Sequence, residues 1–423
     1  MGKRMRFGAF MGPFHARREN PTLALHRDLE LVSLLDRLGY DECWFGEHHS
    51  GGMEIIGPPE MVVCTAAERT RNIRLGTGVV SLAYHNPLMV AERINYLDHI
   101  TRGRVMFGVG PGALPSDAFM MGIPIAKLRD RMDESFSALI PLLRGEEVTM
   151  QTDWFTLNQA RLQMLPYSEP SVEMAVASMV SPSGATAAGR HGVGMLQFQS
   201  LGSEAFNSLA SKWSICEQVA AEHGQTVDRS SWRLVIQVHI AETREQAIRD
   251  CRFGLHNWID YYQSVAQLPI IPEGVTGEDL VETYAGMGVA VIGTPDDAIA
   301  TIESLQKQTG GFGCLMLLSH EWADTAATDK SYELFARYVI PHFQRTNANR
   351  EASRAWVIQN RSHLGEQTRQ AMGKRFIAHA EKYGAENLDP ATMAAVTAPA
   401  QPEGASPYGE VRVGENSKDS KVA

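Results

Sequence analysis

The feature that most constrains the fold is a regular alternation of short apolar segments with longer helical patterns. Eight apolar segments predict strands: Met5–Phe10, Asp41–Phe45, Ile73–Leu82, Arg104–Val109, Glu173–Ser178, Val193–Gln199, Trp232–Ile240 and Phe312–Leu318. Strands that are separated by helices pair in parallel through right-handed crossovers. Eight such units close a barrel, whereas an open doubly wound sheet usually has fewer strands. The pattern therefore predicts an α/β fold, a (β/α)8 TIM barrel.

Other parts of the 423-residue chain do not follow this repeat. Residues 268–293, rich in Gly and Pro, predict a long insertion before the last strand, which is either a surface loop or an active-site lid. We expect residues 1–345 to form the barrel and residues 346–385 to form a helical appendage. Residues 386–423 are rich in Pro, Ala, Gly and charged residues, and this composition predicts a disordered tail.

The composition argues against several classes of protein. The chain has no run of 18 apolar residues and no N-terminal signal pattern, so we expect neither a membrane span nor a secreted protein. A formal net charge of −10 disfavours nucleic acid as a partner. The five cysteines are scattered and form no C-x-x-C pair, which predicts neither disulfides nor a metal site. Such cysteines suit a reducing cytoplasm.

The residues that follow the strands carry the candidate chemistry, because active sites of such barrels lie at the carboxyl ends of the strands. Glu47, His48 and His49 follow the second strand. Histidine titrates near neutral pH and suits general acid–base catalysis. Consecutive side chains point in opposite directions, so His48 and His49 do not easily share a metal ion. Two loop histidines without a role are the open alternative.

Glycines mark the third and fourth strands. Gly76 and Gly78 cost stability in a buried strand unless something approaches the backbone closely. Either a flat ring on the strand or tight packing inside the barrel would explain them. The run Gly108–Ala113 follows the pattern G-x-G-x-x-A, but it is interrupted by Pro111 and does not open a helix, so we reject a dinucleotide fingerprint. Gly110 would still leave room above a bound ring.

A third group of residues surrounds the start of the helix after the fifth strand. Its members are Ser178, Ser181, Ser183 and Gly184. Hydroxyls and free amides at a helix N-terminus form an anion site, for which phosphate is the natural occupant. Simple N-capping by the serines is the alternative. Arg129 and Arg131, on the fourth predicted helix, would add charge-assisted hydrogen bonds.

Together these residues resemble the bacterial luciferase-like flavin monooxygenase family, over roughly residues 5–342. The most specific part follows the family's order and spacing in four motifs: Gly76-Thr77-Gly78-Val79-Val80-Ser81-Leu82, His85-Asn86-Pro87, Tyr96-Leu97-Asp98-His99-Ile100-Thr101-Arg102-Gly103-Arg104 and Phe107-Gly108. Glu47-His48-His49 is similar to a motif of luciferase itself. Within the family, the chain looks more similar to members labelled limonene 1,2-monooxygenase.

The resemblance implies that reduced FMN and O₂ oxygenate a small, hydrophobic organic substrate. A partner flavin reductase would supply the reduced FMN, and we also expect a homodimer. The resemblance implies that His48 acts in acid–base catalysis and that Gly78-Val79 form a cis peptide beneath the flavin ring. Ser181 and Arg129 match phosphate-binding positions. Glu47, Gly110, Ser178, Ser183 and Gly184 complete the expected cofactor contacts.

Two positions depart from luciferase. Gly110 stands where luciferase has a reactive cysteine above the flavin, which argues against light emission. Gly184 stands where luciferase has a phosphate-binding threonine, and we expect a backbone amide to substitute for it. Two other functions stay open. One is a deazaflavin-dependent dehydrogenase on the same barrel. The other is a flavin-binding protein without turnover, in which side chains would fill the space above the ring.

Overall fold

The computed structural model describes residues 4–12, 14–179, 181–198, 206–266, 268, 270–272, 274–275, 277 and 279–398. The chain divides into two compact units, Met1–Gln344 and Arg345–Ala423. The strands are β1 (Arg6–Met11), β2 (Glu42–Phe45), β3 (Arg74–Ser81), β4 (Val105–Gly110), β5 (Val148–Gln151), β6 (Thr156–Ala160), β7 (Glu173–Ser178), β8 (Gly194–Phe198), β9 (Trp232–Ile240), β10 (Ala290–Gly293) and β11 (Cys314–Leu318).

Eight of these strands close a parallel barrel in the order β1-β2-β3-β4-β7-β8-β9-β11, with β11 paired back to β1. The predicted (β/α)8 barrel is therefore confirmed. Two additions were not predicted. The short strand β10 pairs in parallel with residues 237–240 of β9, and β5 and β6 form an antiparallel hairpin before β7.

Helices of the first unit cover the barrel. They are α1 (Pro21–Leu38), α2 (Pro59–Arg69), α3 (Pro87–Thr101), α4 (Pro115–Met120), α5 (Leu128–Leu143), α6 (Ser183–His191), α7 (Phe206–Glu222), α8 (Arg244–Cys251), α9 (Leu255–Ser264), α10 (Asp279–Gly286), α11 (Pro295–Thr309), α12 (Thr325–Leu334) and α13 (Ile340–Gln344). The second unit contains α14 (Ala348–Gln359), α15 (Arg361–Tyr383) and α16 (Pro390–Thr397). No helix in the described part of the chain is long and apolar enough to cross a membrane.

Local sequence signals explain where the first helix begins and ends. The Asn20 side chain accepts a hydrogen bond of 2.9 Å from the Thr22 amide, and Pro21 occupies the first helical position, where its missing N–H costs nothing. Gly39 ends the helix with φ of 83°, a left-handed conformation that favours glycine. These signals position β2, and with it the histidines that follow β2.

Gly254 precedes the first residue of α9, and the close approach of the Glu321 carbonyl oxygen, 1.8 Å from where a Cβ would lie, requires glycine there. Two segments differ from the sequence-based predictions. The insertion over residues 268–293 contains α10 and β10. The tail that was predicted to be disordered includes α16, while residues 399–423 of that tail lie outside the described residues.

The interior of the barrel holds buried charges at the amino-terminal side of its strands. The Arg233 guanidinium stacks on Trp44 at 4.9 Å, and its Nε donates to Glu42 at 2.6 Å. Arg233 also pairs with Glu173, which Arg74 contacts from the other side. Burial alone would raise the pKa of Glu173, but the two arginines outweigh it and lower the pKa to about 2. The cluster therefore favours an ionised Glu173.

This cluster predicts a dependence of stability on acid pH. A carboxyl whose pKa is depressed in the folded state stabilises the fold above its unfolded pKa and loses that contribution as pH falls. For Glu173 the loss runs from its ordinary pKa of 4.5 down to about 2. We expect the free energy of unfolding in urea to fall less steeply across this range in Glu173→Gln than in the parent. Equal slopes for the two proteins would contradict the assignment.

Candidate active site

A cavity of 760 Å³ opens at the carboxyl ends of the barrel strands. Apolar side chains from several strands and from α9 line much of it: Phe10, Phe14, Met179, Phe198, Tyr262, Leu268 and Leu318. His48 and Glu47 after β2, Gly78 and Val79 in β3, and Gly110 at the end of β4 also line this cavity. The space is open rather than filled by side chains, so it accommodates a ligand of cofactor size.

His48 is held between two carboxylates. Its Nδ1 lies 3.3 Å from Asp117 Oδ2, and its Nε2 lies 3.3 Å from Glu54 Oε2. The imidazole is 15% exposed, whereas the Asp117 side chain is 2% exposed. Burial lowers the pKa of His48, but the carboxylates of Glu54, Asp117 and Glu47 outweigh burial and raise the pKa above its ordinary value. The arrangement favours a protonated imidazole.

Asp117 is a residue that the sequence analysis missed. It lies in α4, a short helix that follows β4. Besides His48, its carboxylate accepts hydrogen bonds from the His49 amide at 3.2 Å and from the Ser50 hydroxyl. Burial raises the pKa of Asp117, and its hydrogen bonds to His48 and Ser50 outweigh burial and lower it. No short sequence pattern predicts this contact, because Asp117 is 69 residues from His48 along the chain.

Glu54 and Tyr261 were missed for the same reason. The Tyr261 hydroxyl donates a hydrogen bond to Glu54 Oε2, across 207 positions of the sequence. Burial and the neighbouring Glu54 carboxylate raise the pKa of Tyr261, so its hydroxyl stays protonated and remains a donor. Both residues line the cavity, whereas Asp117 does not. The cavity wall therefore contains a buried carboxylate next to the candidate catalytic histidine.

Glu47 organises a second set of histidines. Its Oε1 contacts His49 Nε2 at 2.9 Å and His85 Nε2 at 2.8 Å, while its Oε2 accepts the Ser81 amide at 2.7 Å. Burial raises the pKa of Glu47, but these hydrogen bonds outweigh burial and lower it. Hydrogen bonding to Glu47 is the main factor that raises the pKa of His49. Glu47 thus fixes the loop that carries His48.

The Gly78-Val79 peptide bond is cis, as predicted from the resemblance. The pairing of β3 with β4 shifts its register between Thr77 and Val80, at the same place. A Cβ at position 110 would lie 2.7 Å from Val79 Cγ2, so a larger residue there would push into the wall of the cavity. Gly78 and Gly110 add no side chain to this part of the wall, beside the side chain of Val79.

The predicted phosphate ligands come together at the N-terminus of α6. The Ser181 and Ser183 hydroxyls are 2.8 Å apart, and the Arg129 guanidinium donates to Ser181 at 3.2 Å and also to Ser183. All three residues line the cavity. Arg131, by contrast, stacks on Trp154 at 5.0 Å. A cation, two hydroxyls and a helix N-terminus thus lie together in the cavity wall and form a candidate anion site.

Ser178 and Gly184 occupy different places in this site. Ser178 is buried at the end of β7, is not part of the cavity wall, and its hydroxyl has no hydrogen-bond partner within the described residues. Gly184 lines the cavity, and a Cβ there would lie 2.3 Å from the Ala177 carbonyl oxygen. The close packing of α6 on β7 requires glycine at this position. Arg190 of α6, which was not predicted, also lines the cavity and pairs with Asp133 at 3.3 Å.

The sequence pattern of luciferase-like monooxygenases matches residues 5–311, which is most of the barrel. The chain belongs to this family. It is 45% identical to limonene 1,2-monooxygenase of Rhodococcus erythropolis, over 83% of this chain and 92% of that protein. It is 43% identical to 4-hydroxyprotoasukamycin monooxygenase of Streptomyces nodosus subsp. asukaensis, over 84% and 97%. The chain is therefore an oxidoreductase of the monooxygenase type.

Solved structures agree with this assignment. The oxygenating constituent of 3,6-diketocamphane monooxygenase from Pseudomonas putida, in complex with FMN, superposes with a TM-score of 0.67 at 25% identity, over 80% of this chain and 98% of that one. An F420-dependent secondary alcohol dehydrogenase has a TM-score of 0.61 at 19% identity, over 79% and 98%. At that identity the second likeness shows a shared fold only. Monooxygenases and dehydrogenases thus use the same barrel.

Proposed function

We propose that this monooxygenase binds reduced FMN in the cavity and uses it with O₂ to oxygenate a small, hydrophobic organic substrate. The observation that carries the proposal is the convergence of Arg129, Ser181 and Ser183 in the wall of the same cavity that His48 lines. When bound and reduced, a flavin would supply the electrons that activate O₂. The chain itself supplies binding, orientation, exclusion of water and a proton.

The residues present fit FMN. Arg129, Ser181, Ser183 and the free amides of α6 would hold the phosphate, because a phosphate accepts several charge-assisted hydrogen bonds. The backbone at Gly78 and the absence of a side chain at Gly110 would accommodate the ring. The cavity volume of 760 Å³ leaves space for a second, smaller molecule beside it. Ser178 would contribute only by supporting the first turn of α6.

Substrate class follows from the walls of the cavity. Phe10, Phe14, Phe198 and Leu318 present apolar surface, which favours a hydrophobic molecule and excludes water from the reacting centre. His48 would hold a proton near that centre. Two relatives are named for small cyclic hydrocarbons or ketones, limonene and a diketocamphane, and these are suitable probe substrates.

A flavin reductase as partner and a homodimeric assembly also belong to the proposal. The diketocamphane relative is described as an oxygenating constituent, which implies a separate protein that supplies reduced flavin to it. We extend that arrangement to this chain, for which a reductase of another bacterial flavin system would be a sufficient source of reduced FMN in an assay.

The proposal is tested by anaerobic titration of the protein with reduced FMN, reduced riboflavin and reduced deazaflavin, followed by air and limonene. We expect FMN to bind more tightly than riboflavin, which lacks the phosphate, and we expect oxygenated limonene only with FMN. Product formation through deazaflavin, without uptake of O₂, would instead indicate a dehydrogenase. Equal affinities for FMN and riboflavin would place the phosphate site elsewhere.

The two serines supply a smaller prediction of the same kind. Ser181→Ala combined with Ser183→Ala should weaken FMN binding by about 1.5 kcal/mol, roughly tenfold, because Arg129 and the helix amides still contact the phosphate. Riboflavin binding should not change, and it serves as the internal control. If the double variant weakened both ligands equally, the serines would act on the fold of the site rather than on the phosphate.

A further inference from the structure

Glu54 is a buried acid in a largely apolar cavity, and it faces the histidine that the proposed function places in proton transfer. Its side chain is 8% exposed, and its Oε2 lies 3.3 Å from His48 Nε2. The opposite ring nitrogen of His48 lies 3.3 Å from Asp117. Each ring nitrogen of His48 therefore has a carboxylate oxygen beside it. This arrangement limits the protonation states that the imidazole can adopt.

A neutral imidazole has one N–H and one lone pair. In this position its lone pair would face an ionised carboxylate, which is unfavourable unless that carboxyl carries a proton. A doubly protonated imidazole donates to Asp117 through Nδ1, and its positive charge is also attracted to the Glu54 carboxylate 3.3 Å from Nε2, so both contacts favour the cation. Tyr261 contributes because its hydroxyl donates to Glu54 Oε2, which holds that carboxyl beside the His48 ring.

We infer that Glu54 is a positioning residue that, together with Asp117, holds His48 doubly protonated, so that His48 enters the reaction as a proton donor. This inference rests on the proposed function. In the donating step the imidazolium gives one proton to an oxygen atom in the cavity and becomes a neutral imidazole. The N–H that remains at Nδ1 stays with Asp117, so the ring keeps its orientation while its charge changes.

The carboxylates that face His48 in the described structure agree with this assignment of charge. Glu54 and Asp117 contact the ring directly, and Glu47 acts from the end of β2. His49 is the one nearby group of opposite effect, and it is bonded to Glu47. Tyr84 lies near Asp117 and Glu47, and its raised pKa leaves it uncharged. Three carboxylates therefore surround the His48 imidazole, the group that gains or loses a proton.

The experiment is a histidine titration by NMR on the full-length protein without cofactor, with His48 assigned by its loss in His48→Gln. Glu54→Gln should move the titration midpoint of His48 to lower pH, because a neutral amide replaces the carboxylate while it can still accept from Tyr261. Glu54→Asp, which keeps the carboxylate charge, should give a His48 titration midpoint close to that of the parent. Asp250→Asn is the matched control, because Asp250 contacts His239 at the same distance of 3.3 Å but lies outside the cavity.

A second readout connects this charge state to turnover. If protonated His48 is the active form, activity falls as pH rises through its pKa, and Glu54→Gln should move this alkaline limb to lower pH. An unchanged midpoint in Glu54→Gln, or an equal shift in Asp250→Asn, would overturn the inference. The titration needs no flavin, so its outcome is separate from the proposed function: failure of FMN binding with a shifted midpoint would reject only that function.

Discussion

His48→Ala is expected to lower kcat by about 10²–10⁴-fold, the range typical for loss of a general acid or base. The imidazole lies in the cavity wall between Glu54 and Asp117, and no other histidine contacts both acids among the described residues. FMN affinity should change little, because His48 follows β2 and makes no contact with Arg129, Ser181 or Ser183, the expected phosphate contacts. The measurement is single-turnover oxygenation with reduced FMN, together with an FMN titration and a thermal melt.

Two controls make this result specific. His48→Gln keeps a hydrogen-bond donor near the carboxylates but does not titrate, so it should lose activity while it limits any loss of stability. His26→Ala removes an exposed histidine of α1 and should behave like the parent. Full activity in His48→Ala would remove His48 from the mechanism. Loss of activity in proportion to loss of folded protein would assign it a structural role only.

Arg129→Met is expected to weaken FMN binding by up to about 3 kcal/mol, roughly 150-fold, since a hydrogen bond to a charged group contributes about 1.5–3 kcal/mol. Arg129 bears the positive charge that contacts both serines of the anion site, and methionine keeps much of its apolar stem without that charge. The affinity for riboflavin should be unaffected. The ratio of FMN affinity to riboflavin affinity should therefore fall, and this ratio is the quantity to measure.

Arg131→Met is the matched control, because Arg131 lies on the same helix and stacks on Trp154 instead of approaching the anion site. This variant should keep the FMN-to-riboflavin ratio of the parent. Equal ratios in Arg129→Met and the parent would show that the phosphate does not contact Arg129. Arg190, the other arginine of the cavity wall, would then be the residue to substitute next.

The sequence predicted the barrel well because its signals are local. Strand and helix patterns alternate at short range, and Asn20, Pro21 and Gly39 bound a helix by the conformations they allow. The missed elements lack such signals. Strands β5 and β6 are partly exposed and carry little apolar alternation, and β10 has only four residues within a Gly-rich segment. Their formation depends on partners elsewhere in the chain.

The candidate site divides in the same way. Ser181, Ser183 and Gly184 were predicted because a helix N-terminus places neighbouring residues around one anion. Asp117, Glu54 and Tyr261 were not, since only the closed barrel brings them to the cavity, and a lone carboxyl in a sequence has no distinguishing pattern. Gly78-Val79 were identified through the resemblance alone, because nothing in the residue types specifies a cis peptide.

The most direct test of the account is mass spectrometry of products formed under ¹⁸O₂, with reduced FMN supplied by a bacterial flavin reductase. Limonene and a panel of other small cyclic hydrocarbons and ketones serve as substrates. The account predicts that one ¹⁸O atom enters the organic product, that label from H₂¹⁸O does not enter the same position, and that no product forms when FMN is omitted. Products that carry no ¹⁸O from ¹⁸O₂, or that form equally well with reduced deazaflavin under argon, would contradict it.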